Sequence, residues 1–214
     1  MSLGVRGYGR MVAMDLPPIF LRYARLYAAH GHSLYLIGGT SRDLLLGKAP
    51  LDFDFTTDAT VEEERAFLPP FNDRFARFGS IKLKEGDLEI DITTFRREKG
   101  YADHRHPGEV LFVRDPETDS WRRDFTVNAL YIDGNGDILD FHGGLEDLRL
   151  GLIRFIGDPD ERVKEDPLRI LRAERFARRL GFQIEEKTLE AIERNRSLLA
   201  CLNPDKVNME RRKL

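Results

Sequence analysis

The sequence predicts an α+β protein that ends in a helical segment, and three stretches predict it. Residues 33–57 read as strand, glycine turn, short helix and strand. Residues 74–83 and 88–95 alternate apolar and polar side chains, like paired strands around Glu85, Gly86 and Asp87. From Asp158 to Gly181 the apolar spacing turns helical. The 214 residues allow one ordinary domain or two small ones, and 41% hydrophobic with 33% charged residues suits a globular chain with a core. No apolar run approaches the ~20 residues of a membrane span, and no signal-peptide pattern is seen. Cys201 is the only cysteine, which excludes a disulfide framework and cysteine-based zinc sites. The cytoplasm is the expected compartment.

In chain order, residues 1–16 carry three glycines without periodicity and are expected to form a flexible leader. A helix is expected from Pro17 and Pro18 to Gly31, with Ile19, Tyr23, Leu26 and Tyr27 as its apolar stripe. Then come a strand over 34–37, a turn at Gly38 and Gly39, a helix over 40–46 and a strand over 51–56. Thr60 caps a helix over 60–67, with Glu63 completing a capping box. After the two alternating strands, residues 96–108 are polar and glycine-bearing, which predicts a mobile loop. His104 and His106 lie in it, without a further His or Cys at metal-ligand spacing. A short strand over 110–113 and a hairpin turned by Gly134, Asn135 and Gly136 follow. Asp158 caps the next helix, Pro159 takes its first position, Pro167 breaks or kinks it, and Gly181 ends it. Val163, Ile170, Leu171 and Ala177 are its expected core face. A helix over 185–199 and one capped by Asn203 complete the chain.

The chemistry concentrates at residues 38–54. On one strand, Asp52 and Asp54 share a face, with Phe53 and Phe55 on the other. Two close carboxylates repel unless a cation lies between them, and oxygen-only ligands suit Mg²⁺, which takes one or two carboxylates plus phosphate oxygens. Gly38 and Gly39 permit close backbone approach to a phosphate, and the following helix N-terminus offers N–H groups to an anion. Glu89 and Asp91 share a face of a later strand. Arg122 and Arg123 beside Asp124 make either a salt-bridge cluster or a contact to triphosphate and ribose.

The helix after Asp158 carries Asp166 and Arg169 at i and i+3, with Arg172 and Arg175 at further steps of three. An Arg donor beside an Asp acceptor matches the edges of cytosine and adenine. Guanine and uracil show the reversed order. Each good bidentate contact discriminates by ~1–3 kcal/mol, so this pair could select C and A without a template. The alternative is a surface salt bridge.

G-G-T-S-R-D-L-L-L-G followed by L-D-F-D-F resembles the first motif of class II tRNA nucleotidyltransferases (CCA-adding enzymes) and bacterial poly(A) polymerases, within the polymerase-β-type superfamily. Ser41 stands where the family usually has Val. R-R-D-F-T-V-N-A-L resembles its second motif, H-G-G-L-E-D-L-R-L-G the third and E-D-P-L-R-I-L-R the fourth. The resemblance covers residues 33–214, and enzymes of full size in this family continue into a body and tail that grip tRNA.

It implies a five-stranded mixed sheet with helices on one side, then an all-helical neck. The implied organisation is a leader over 1–16, a catalytic head over 17–156 and a nucleotide-selecting neck over 157–214. Asp52 and Asp54 would hold two Mg²⁺ ions, with Asp91 as a third carboxylate. Gly38, Gly39, Arg42, Arg123, Asp124, Asn128, Asp166, Arg169, Arg172 and Arg175 would contact the nucleotide. His142 is expected to be structural. The implied reaction is template-independent addition of CMP or AMP, from CTP or ATP, to the tRNA 3′ end. A loop of full length at 96–108 leans against addition of the two cytidines alone. Rival readings are a poly(A) polymerase, nucleotidyl transfer to a small molecule, and a non-catalytic RNA-binding fragment. Net charge is −3, but residues 161–214 hold 14 basic and 10 acidic side chains, a balance of +4 against −7 for the remainder, so the basic part could take phosphate backbone.

Overall fold

The computed structural model describes residues 8–9, 15–50, 52–100 and 108–212. They fall into two compact units, 1–97 with 110–122 and 128–141, and 98–109 with 123–127 and 142–214. Most of the leader lies outside the described residues, as do His104 and His106. Tyr8–Gly9, however, forms a strand, β1.

Helix α1 (Pro18–Ala29) begins at its proline as expected and buries Phe20, Tyr23 and Tyr27. Phe20, not Ile19, is the innermost residue of its first turn. Strand β2 (Leu34–Leu36), helix α2 (Gly38–Leu45) and strand β3 (Phe53–Thr57) follow. The helix starts two residues before the expected Thr40, because Gly38 takes φ +67°, a conformation open to glycine, and turns the chain at once. Helix α3 (Val61–Glu64) has the capping box, Thr60 accepting from the Glu63 N–H, and is shorter than expected. Strand β4 (Asn72–Phe75) does not run on to residue 83. A 3₁₀ turn over Ala76–Phe78 and Gly79 at φ +72° separate it from β5 (Ser80–Glu85). Next come β6 (Leu88–Thr94), β7 (Arg96–Lys99), β8 (Glu109–Phe112) and helix α4 (Pro116–Ser120). The expected loop over 96–108 therefore begins as a strand. The hairpin pairs β9 (Leu130–Ile132) with β10 (Ile138–Asp140).

The sheet runs β1-β10-β9-β2-β3-β6-β5-β4. It has eight strands, seven without the two-residue β1, and not five. Among the strands beyond five are β1 from the leader and the extra strand made by the split of residues 74–83, while the expected hairpin joins the same sheet. The β3–β6 pair is parallel and its sheet neighbours are antiparallel, so the mixed character holds. Helices are not confined to one side. Phe55 on one face meets the Phe20 ring of α1 at 5.3 Å. Tyr131 points to the other face, since its neighbour Ile132 aligns through Leu36 with Phe55. There its hydroxyl donates to Asp119 of α4 at 2.7 Å.

The second unit holds α5 (Gly144–Leu150), β11 (Leu152–Ile153), α6 (Pro159–Glu165), α7 (Leu168–Leu180), β12 (Gln183–Ile184), α8 (Glu186–Asn195) and α9 (Pro204–Arg211). Asp158 caps α6, the chain breaks at Asp166 and Pro167, and Gly181 closes α7 at φ +71°. The neck is not all-helical, because β12 pairs in parallel with β11. Its core gathers Phe125, Val127, Ile153, Phe155, Val163, Ile170, Ala173, Phe176 and Ile192. No helix among the described residues is long and apolar enough to cross a membrane.

Candidate active site

In the first unit the glycine turn closes directly over the second aspartate of the D-x-D pair. A Cβ added to Gly38 would stand 3.2 Å from Asp54 Oδ2, and one on Gly39 3.9 Å from it. At Gly38 that approach is tight, while at Gly39 it is ordinary contact. Phe53 and Phe55 turn inward, 9% and 1% exposed, which leaves Asp54 on the opposite face. Asp52 precedes the strand and is exposed. Strand pairing alone therefore does not place it. Thr40 does. Its hydroxyl accepts the Asp54 N–H at 2.8 Å and donates to the Asp52 carbonyl at 2.9 Å. The sequence signal for Thr40 is a hydroxyl residue directly after the Gly-Gly turn, in the first turn of the helix.

Asp91 aligns with Asp54 across the parallel pair β3–β6, so both carboxylates stand on one face of adjacent strands. Lys82, aligned with Asp91 on β5, puts its ammonium 2.8 Å from Asp91 Oδ1 and 3.0 Å from Oδ2. Its pKa is raised by that hydrogen bond first, and the Asp54 charge adds to it. A cation already sits among these acids, and sequence spacing does not single it out. Arg42 is only 2% exposed. Its guanidinium donates to Asp43 Oδ1 and, at 2.7 Å, to Asn128 Oδ1.

The second unit brings Asp124, Arg172, Arg169 and Arg175 into one neighbourhood. Arg172 donates to Asp124 Oδ2, with Nε at 2.8 Å. Burial pushes the Asp124 carboxyl up, but the charge and hydrogen bonds of Arg172, the charge of Arg169 and the Phe125 N–H outweigh it and hold the group below its usual range. Arg172 is raised in return by Asp124. Arg175 stacks on the Phe176 ring at 4.7 Å and stands 3.6 Å from Glu210. Arg169 does not turn to Asp166. It donates to Glu165 Oε2 and to the Arg162 carbonyl, both at 2.7 Å. Asp166 Oδ1 accepts the Leu168 N–H at 3.0 Å. Glu165, which also binds Arg162, fixes the direction of Arg169, and sequence spacing pointed to it only as a neighbour. The Arg123 carbonyl accepts from Arg162 at 2.7 Å.

No group of three or more His, Cys, Asp or Glu side chains able to hold a metal is found among the described residues. Mg²⁺ does not need one, since it takes one or two carboxylates and completes its shell with phosphate oxygens and water. Asp54 and Asp91 side by side, beside a turn kept clear of side chains, fit a hard cation that arrives with a phosphate.

The family model of the poly A polymerase head domain matches residues 34–154. A CCA-adding enzyme of Lactobacillus helveticus is 40% identical over 204 residues, covering 94% of this chain and 51% of that protein. One of Geobacillus kaustophilus is 42% identical over 185 residues, covering 86% and 46%. The crystal structure of the Bacillus stearothermophilus CCA-adding enzyme in complex with CTP superposes with a TM-score of 0.83 at 37% identity, covering 92% of this chain and 49% of that one. The Thermotoga maritima CCA-adding enzyme complexed with tRNA gives 0.73 at 30% identity, covering 92% and 47%. The chain thus spans about half the length of the curated relatives it matches.

Proposed function

Because the chain belongs to the poly A polymerase head-domain family, we propose that it is the nucleotidyltransferase portion of a tRNA CCA-adding enzyme. It transfers CMP or AMP from CTP or ATP to the tRNA 3′ end. The observation that carries this reading is the alignment of Asp54 with Asp91 beside the Gly38 turn. The relatives named for CCA addition support the choice of RNA and nucleotides.

In the reaction the primer 3′-oxygen forms a bond to the α-phosphorus, the bond to the β-phosphate oxygen breaks, and pyrophosphate leaves. Asp52 and Asp54, with help from Asp91, would hold two Mg²⁺ ions. When bound, these lower the pKa of the primer hydroxyl and neutralise the triphosphate. The chain's own residues orient the reactants. Gly38 and Gly39 admit the phosphates to the α2 N-terminus. Arg42 acts through Asn128, which would meet the ribose; in the second unit Asp124 carries the same proposed role. Arg123, Arg172 and Arg175 meet the nucleotide, and Asp166 with Arg169 reads the base edge. Glu165 sets Arg169. The division into a head over 17–156 and a selecting neck over 157–214 is part of this proposal, as is a place in the cytoplasm, where the tRNA substrate is.

The test is addition of labelled CTP and ATP to tRNA ending at the discriminator base, at CC and at CCA. Short, defined extension of the first two is expected, and Asp54→Ala should lower the rate at least about a hundredfold. An Asp54→Ala chain as fast as wild type would refute the metal role. Long adenosine tails would assign the chain to poly(A) polymerases, the other activity that the family model's description admits.

A further inference from the structure

We propose that the exposed edge of the sheet around Phe75 is a stacking platform for the single-stranded 3′ tail of the RNA primer. The inference deepens the reading above and rests on it for the identity of the primer. Every residue of β4 is exposed, and Phe75 is an edge aromatic 48% open to solvent. Pairing fixes the face it occupies. Phe75 aligns with Ser80, Ser80 with Thr93 and Thr93 with Thr56. Two residues along β5, β6 and β3, the next row on the same face is Lys82, Asp91 and Asp54, with Asn72 aligned to Lys82 across a register shift in β4. Aligned residues share a face, so Phe75 stands on the same side of the sheet as the two carboxylates. One strand, β5, separates β4 from β6, so the two lie two strand spacings apart, about 10 Å.

The charges around the ring are of one kind. The Arg74 guanidinium lies 5.8 Å from the Phe75 centroid and that of Arg77 4.5 Å from Phe78. Neither arginine enters an ion pair among the described residues, whereas Asp73, next to Arg74 on β4, pairs with Arg65 at 2.6 Å. Lys82 lies between this edge and the acids. Phe75 thus presents an exposed ring with the Arg74 guanidinium beside it, and Arg77 follows two residues on, over Phe78. Single-stranded nucleic acid fits both, since bases stack on the ring and phosphates take the arginines. A primer whose 3′ end reaches Asp54 and Asp91 can lay its preceding nucleotides along this row towards the edge.

The test uses the full chain and a fluorescent RNA hairpin with a single-stranded 3′ tail ending in CC. Binding is read by anisotropy, and KM is measured separately for RNA and for the nucleotide. Phe75→Ala should raise Kd and the RNA KM about tenfold, as for one lost stacked base, with the nucleotide KM unchanged. Phe75→Tyr should restore wild-type values and Phe75→Leu should not. Arg74→Ala with Arg77→Ala should reduce the slope of log Kd against log salt by about 1 to 1.5. The proposal is overturned if Phe75→Ala leaves RNA binding within twofold of wild type, or if Phe75→Leu binds like wild type. It is also overturned if Phe75→Ala abolishes self-association seen by light scattering while sparing RNA binding, which would make a second copy the occupant. The residues are exposed, so a thermal melt is expected to be unchanged. A wild-type chain that binds this RNA through Phe75 yet adds no nucleotide would uphold the platform and sink the proposed activity, so the two failures read differently.

Discussion

Thr40 carries more of the site than its size suggests. One hydroxyl satisfies the Asp54 N–H and the Asp52 carbonyl at once, which ties both acidic residues to α2 rather than to the strand alone. Thr40→Val keeps the shape and removes both bonds. It should lower kcat about tenfold or more by loosening the carboxylates, with the nucleotide KM little changed, while Thr40→Ser keeps activity. Steady-state kinetics on the three proteins decides it. A second residue matters for stability alone. Glu64 is buried and accepts the Tyr27 hydroxyl at 2.6 Å. Burial, opposed in part by that hydrogen bond, raises its pKa to about 8. A group whose pKa is higher in the folded than in the unfolded chain stabilises fully below its unfolded value and loses that contribution as pH rises through the folded one. Stability should therefore fall between about pH 5 and pH 8, and Glu64→Gln should flatten the decline in melting temperature. A parallel decline in both proteins would show that Glu64 is not its source.

At the scale of elements, the glycine turn and the helix behind it act together. Gly38 has φ +67° and faces Asp54 Oδ2, so Gly38→Ala meets two obstacles, a conformation that costs about 1 kcal/mol and a Cβ 3.2 Å from the carboxylate oxygen. Gly39 has ordinary backbone angles and looser surroundings, its nearest neighbour being Arg42 Nη2 at 3.6 Å. Urea unfolding should show Gly38→Ala less stable than Gly39→Ala, with activity lost more steeply as well; equal losses would mean the turn does not constrain the acid. The caps were legible, because Thr60, Asp158, Asn203 and Gly181 each act within a few residues of themselves. The break at Pro167 was legible for the same reason. The split of residues 74–83 was not. Gly79 there fits a strand pattern by composition, and only its packing, with Phe112 where a Cβ would be, shows why the chain must turn.

For the whole molecule, the two compact units do not follow the chain's numbering. Phe125 and Val127 belong with Val163, Ile170, Phe176 and Ile192, although a head ending at residue 156 would separate them. A fragment of residues 1–156 should therefore expose Phe125, Ile153 and Phe155 and lose cooperative melting by circular dichroism. Size-exclusion chromatography should find it aggregated. A monomeric, cooperatively folded fragment would show that this core is dispensable to the head.

The sequence by itself determined the family, the α+β class and the helix caps at Thr60, Asp158, Gly181 and Asn203. These depend on local spacing, and local spacing is written along the chain. Tertiary structure alone decided that Asp91 aligns with Asp54, that Lys82 sits beside Asp91, and that Arg169 turns to Glu165 instead of Asp166. It also decided the eight strands and the assignment of Phe125 to the later helices. Register between strands and the choice among rival carboxylates follow from burial and pairing between residues far apart in sequence, and no window of neighbouring residues contains those partners.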